Sequence, residues 1–284
     1  MKTLLAAFFL MSILPSCDSR SQSAAPLSPS APYTITDASY GSDTAQRMDV
    51  YLPAGRSAQA TKSLVLIHGG SWNGGSKADF SSQIAAFRKR MPGYAIFNLE
   101  YRLANNGTVF PAQENDIRKA LSFIADRAAG YDINARQLVL LGASAGGHLA
   151  LLQAYKYGTP RIAAVIDFFG PTELLAMYER PWHPLVPVAL QMITGTTPAG
   201  NRDLYLQSSP VSFVTPQAPP TLIFHGGKDP VVDISQSRSL AARLESAGVP
   251  HQLVVYPAER HGWYGATLTG SFDTIETFLE RHVP

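Results

Sequence analysis

The chain has 284 residues, 45% of them hydrophobic and 15% charged, which is ample apolar material for a large core and too little charge for a disordered or coiled-coil protein. Its 23 basic and 21 acidic residues leave a formal charge of +2; with no concentrated basic patch to meet phosphates, this argues against a nucleic-acid binder and for a small, roughly neutral partner. The single cysteine excludes an intrachain disulfide framework and any cysteine-based zinc or iron–sulfur site.

In chain order, Lys2 supplies a positive start and residues 4–14 an apolar run too short to span a bilayer, the pattern of a secretory signal peptide over residues 1–17. Leu14, Pro15, Ser16 and Cys17 resemble the bacterial lipobox, although Pro15 departs from the commoner small or β-branched residue. The resemblance implies an exported protein of the cell envelope, anchored to a membrane through lipidated Cys17. Residues 18–32 are rich in Ser, Pro and Ala without an apolar period and read as a flexible tether. Nothing after it repeats or breaks into a second linker, so residues 33–284 are expected to form one catalytic-sized domain.

Short β-rich runs at 48–52, 63–67, 94–99, 137–141, 162–169, 221–224 and 251–256 predict strands. Several are apolar at nearly every position, as strands covered on both faces are. Between them lie predicted helices at 78–89, 114–128, 145–157, 235–247 and 271–281, the fourth stopped by Gly248 and Pro250. This alternation predicts an α/β fold with a mainly parallel central sheet flanked by helices. Residues 171–219 break the rhythm with prolines and aromatics and are expected to form a lid or pocket wall.

The chemistry begins at Gly142-Ala143-Ser144-Ala145-Gly146, which follows an apolar strand and opens a helix, the setting in which GxSxG marks a nucleophile elbow. So tight a turn needs small neighbours, and the helix N-terminus favours negative charge developing at Ser144. A serine hydroxyl needs a base, and the base a carboxylate to orient it. Among seven histidines, His261 is the candidate because its loop follows the last predicted strand. His225, His251 and His282 read as structural or surface groups, and His148, one turn beyond Ser144, as packed inward. Asp229, on the loop after 221–224, is the candidate orienter, with Asp233 its near rival and Asp167 and Glu259 distant ones. The order Ser144, Asp229, His261 is that of α/β-hydrolases. Oxyanion donors are expected from the amide of Ala145 and from the loop His68-Gly69-Gly70-Ser71-Trp72, each donor being worth roughly 3 kcal/mol in a transition state.

With Glu100-Tyr101-Arg102-Leu103, Phe110-Pro111-Ala112, Asp229-Pro230-Val231-Val232 and His261-Gly262 in the same order, the chain from about residue 40 onward resembles the esterase/lipase branch of the α/β-hydrolase superfamily. It is similar in particular to compact, hormone-sensitive-lipase-like bacterial carboxylesterases with an HGGxW loop. The resemblance implies an α/β-hydrolase fold and serine carboxylesterase activity on short-chain or acetyl esters. It places the catalytic residues at Ser144, Asp229 and His261 and the oxyanion amides at Gly70, Ser71 and Ala145. Ser71 stands where lipases carry a third glycine, which leaves Gly69 and Gly70 as an alternative pair. Tyr101 and Arg102 would brace the loop from beneath. No metal, organic cofactor or protein partner is implied. Arylformamidases share the loop and the triad, so amide hydrolysis is the alternative activity; a non-catalytic ligand-binding homologue is the alternative class.

Overall fold

The computed structural model describes residues 27–284. The signal segment, Cys17 and most of the tether lie outside the described residues.

Eight strands form one sheet: β1 (Tyr33–Ser39), β2 (Arg47–Leu52), β3 (Lys62–Ile67), β4 (Tyr94–Leu99), β5 (Leu138–Ala143), β6 (Ile162–Phe168), β7 (Thr221–Gly226) and β8 (His251–Tyr256). Their spatial order is β1-β2-β4-β3-β5-β6-β7-β8. The first two run antiparallel to their neighbours and every later pairing is parallel. The helices are α1 (Ser81–Arg90), α2 (Ala112–Tyr131), α3 (Ala145–Lys156), α4 (Leu174–Glu179), α5 (Leu185–Thr194), α6 (Arg202–Gln207), α7 (Ser235–Ser246) and α8 (Gly265–His282).

The unbroken apolar runs are explained by two hydrophobic clusters, one on each sheet face. Val65, Ile67, Phe97 and Leu140 pack with α2, α3 and α7, while Leu64, Leu66, Ile96 and Val139 pack with α1 and α8. Neighbouring strand residues point to opposite faces, and here both faces are covered. Each parallel strand therefore ends at the same edge of the sheet, where the loops after β3, β5, β7 and β8 converge.

Three differences from the sequence expectations have physical causes. β1 has no apolar run because it is an edge strand, largely open to solvent and broken by a bulge between Ile35 and Ala38. The stretch 171–219 holds three short helices, α4, α5 and α6, whose faces are too brief to give a clear period. Residues 27–32, read as the end of a free tether, are instead tied down. The Arg56 guanidinium donates to the carbonyls of Leu27 and Ala31, and Gly55 N donates to Pro29 O.

Candidate active site

Ser144 occupies the turn between β5 and α3 with φ 55° and ψ −121°, a conformation costly for a residue with a Cβ. The turn is held by close backbone packing. A Cβ at Gly146 would lie 2.0 Å from Ile67 O, and one at Gly142 would lie 2.2 Å from Gly146 O. Ser144 N donates to Phe168 O at 2.8 Å, pinning the elbow to β6. The Ser144 side chain makes no capping bond to its helix, so the hydroxyl is not engaged there.

The loop after β3 lies against this elbow: a Cβ at Gly69 would be 2.8 Å from Ala143 O and 3.2 Å from Ser144 Cβ. Gly70, Ser71 and Trp72 all have positive φ, at 106°, 52° and 61°, which turns successive amides. Among the described residues, the amides of Gly70, Ser71 and Ala145 donate to no protein acceptor, as an oxyanion cradle requires. The loop is anchored from below. Tyr101 Oη donates to His68 O at 3.0 Å, and the Tyr101 and His68 rings stack at 4.2 Å. Arg102 makes a two-pronged ion pair with buried Asp116. Trp72 Nε1 donates to His148 Nδ1 at 3.0 Å, and His148 Nε2 donates to Ser208 O at 2.7 Å. Burial pushes the His148 pKa down to about 4, so this ring is a neutral strut between the loop and the segment before β7.

His261 Nδ1 donates to Asp229 Oδ2 at 2.7 Å. The Asp229 side chain has no exposed surface, and its Oδ1 accepts from the amides of Val231 and Val232 at 2.8 and 3.0 Å. Burial alone would raise its pKa; the His261 hydrogen bond and charge, with the two amides, outweigh it and hold the carboxyl below its ordinary range. Asp233, by contrast, accepts from Ser235 N, and Glu259 from the Thr267 hydroxyl. Asp167 is buried beneath the elbow, its Oδ1 accepting from Gly170 N. Ser144 and His261 line one cavity without a hydrogen bond between their side chains, an ordinary geometry before substrate tightens the site.

Two cavities meet at Ser144. The first, about 430 Å³, is walled by Phe80, Phe87, Phe168, Phe169, Trp263 and Phe272 and includes His261. The second, about 350 Å³, runs under the 171–219 segment along Met177, Trp182, Leu185, Val186, Leu190 and Ile193, without His261. Ser71, Ser144 and Val231 belong to both. Of the six described non-glycine residues with positive φ, four (Ser71, Trp72, Ser144 and Phe169) line these cavities, so backbone strain is concentrated where the chemistry would be. Phe169 is a site residue that pattern reading misses: its ring lies 4.4 Å from that of His261, yet in the sequence it is one more apolar residue at a strand end.

The parallel sheet, the strained serine elbow and the loops gathered at one edge define an α/β-hydrolase of the esterase/lipase branch. Within it, the chain belongs to the BD-FAE family, which matches residues 48–244. It is 25% identical over 256 residues to LipM and 26% identical over 260 residues to the esterase LipC, both of Mycobacterium tuberculosis. These matches cover 86% and 85% of this chain but only 58% and 64% of the relatives, so the chain spans about three-fifths of their length. Among solved structures, a truncated carbohydrate esterase from gut microbiota superposes with a TM-score of 0.72 at 25% identity, covering 89% of this chain and 99% of that one.

Proposed function

We propose that the protein is a serine carboxylic-ester hydrolase that acts on short-chain or acetyl esters through an acyl-enzyme. The observation that carries this reading is the Asp229–His261 pair at 2.7 Å, facing the cavity of an elbow serine beside amides with no other acceptor. Ser144 Oγ attacks the ester carbonyl while His261 Nε2 takes its proton. Asp229 fixes the imidazole tautomer, and the amides of Ala145 with Gly70 or Ser71 receive the oxyanion. His261 then protonates the leaving alcohol, and water releases the acyl group by the reverse proton path.

The cavities divide the substrate. The leaving oxygen has to lie within reach of His261, so the alcohol belongs in the first cavity and the acyl group in the second, lined by Leu190 and Ile193. Esters of the kind the carbohydrate esterase handles fit this division, with aromatic walls offering faces to a sugar ring. The same walls support a second reading, hydrolysis of an aryl formamide whose aromatic amine leaves through the first cavity. Rates over nitrophenyl esters of about two to twelve carbons, beside acetylated xylan fragments and N-formylkynurenine, separate the two. A preference for the formamide, or for the longest chain, would overturn the ester reading or its short-chain form. Export and anchoring through Cys17 complete the proposal as the expected setting of this activity.

A further inference from the structure

A second imidazole stands behind the carboxylate. His225, at the end of β7, has no exposed surface and lies one turn of chain before Asp229. Its Nε2 is 2.9 Å from Val232 O and 3.5 Å from Asp229 Oδ2. On the other side of the ring, Nδ1 is 2.7 Å from the hydroxyl of buried Ser237, on the first turn of α7. A carbonyl can only accept, so Nε2 carries the proton and the Ser237 hydroxyl donates to Nδ1. Val232 is thereby gripped twice: its carbonyl accepts from His225 Nε2 and its amide donates to Asp229 Oδ1 at 3.0 Å. The chain of contacts runs without a gap from Ser237 through His225, Val232 and Asp229 to His261.

We propose that His225, with its tautomer set by the Val232 carbonyl and its ring anchored by the Ser237 hydroxyl, is a positioning residue that holds the 229–232 turn and keeps the Asp229 carboxylate aimed at His261. It rests on the reading of Ser144, Asp229 and His261 as the reacting set. His225 itself lines neither of the two cavities that meet at Ser144. Burial lowers its pKa, in keeping with a neutral ring; the ionisable groups around it are Asp229, His261 and Asp233. The sequence alone presents His225 as the end of an apolar strand, because its partners come from the following loop and from a helix twelve residues on.

The test compares His225→Phe, His225→Gln and Ser237→Ala in the full chain. Phenylalanine keeps the bulk and removes the donor, glutamine returns an N–H near the Nε2 position, and Ser237→Ala deletes only the hydroxyl that anchors the ring at Nδ1. Acetyl-ester kinetics, the downfield Nδ1 proton resonance of His261 and thermal melting are measured together. The expected result is a kcat about 100-fold lower for His225→Phe and about tenfold lower for Ser237→Ala, KM within about twofold, and partial recovery in His225→Gln. The His261 resonance should broaden or shift in the two damaged variants. If His225→Phe fails to fold, Ser237→Ala alone decides. A kcat within about twofold of wild type in Ser237→Ala, with the resonance unmoved, overturns the proposal, as does a loss of rate that merely follows the loss of folded protein. A Ser144→Ala variant run alongside distinguishes the two failures: if it retains turnover, the triad reading itself falls.

Discussion

Asp167 offers the sharpest thermodynamic test of the fold around the elbow. Its carboxyl is fully buried, with Oδ1 bonded to Gly170 N and Oδ2 without a hydrogen-bond partner. Burial pushes its pKa from 3.8 up to about 7, against a smaller opposing pull from the Gly170 amide. The folded state therefore binds this proton more tightly than the unfolded chain does. Stability tied to it is fully present below the unfolded pKa and is lost as pH rises through the folded one. At about 1.4 kcal/mol per pH unit, the full cost slightly exceeds ~4 kcal/mol, of which about 2–3 kcal/mol falls between pH 5 and pH 8. Asp167→Asn keeps the acceptor for Gly170 and the shape of the neutral acid but cannot ionise. Urea unfolding of both proteins, followed by tryptophan fluorescence, should show the variant gaining on wild type by about 2–3 kcal/mol from pH 5 to pH 8. Other titrating groups cancel in the comparison. A gap that stays constant within about 0.5 kcal/mol would mean that Asp167 is either solvated or paired, and would refute the reasoning.

Ser144→Ala should abolish ester turnover with the melting transition retained, and residual activity within about tenfold of wild type would remove Ser144 from the mechanism. Asp229→Asn should cost several orders of magnitude in kcat while Asp233→Asn costs little, because Asp233 is occupied in capping its own turn; the opposite ranking would transfer the role. Gly146→Ala should yield little folded protein on expression, since its Cβ would meet Ile67 O at 2.0 Å and His68 O at 2.4 Å, and normal yield with full activity would contradict the packing described. Metabolic labelling with a palmitate analogue should mark the full-length protein and not Cys17→Ser, whose specific activity should be unchanged; an unlabelled wild type that washes off membranes in salt would leave an ordinary cleaved signal.

The sequence carried the sheet because the physics of its middle is local. A strand covered on both faces, such as β3, must be apolar throughout, and that is visible residue by residue. The tight turn at Ser144 was legible for a similar reason: the glycines it needs sit within two positions of it. Asp229 and His261 could be placed by loop position and order, and the 2.7 Å contact between them accords with that placement. What stayed hidden depends on approach between distant segments. Nothing in the chain announces that Trp72 will meet His148 or that Phe169 will lie on His261; the 171–219 stretch could be read as a pocket wall, but not the short helices α4 and α5 that line the cavity there. Residues 27–32 misled because Ser, Pro and Ala describe what a segment can bury, whereas this one is held through its backbone carbonyls by Arg56.

Only one of the two cavities opens onto His261, and under the proposed acyl-enzyme route this arrangement would set a traffic order. After the first half-reaction the departing alcohol still occupies the space through which the hydrolytic water must come, because water can be activated only beside the imidazole. Vacating that space becomes a step in its own right. On that route, an alcohol that fits the aromatic walls well would linger, block deacylation and recapture the acyl group, whereas an acid product held in the second cavity would not stand in the path of the water. Added alcohols should therefore divert the acyl-enzyme toward transfer products in proportion to how well they fill the aromatic cavity, making the partition between hydrolysis and transfer a direct measure of its shape.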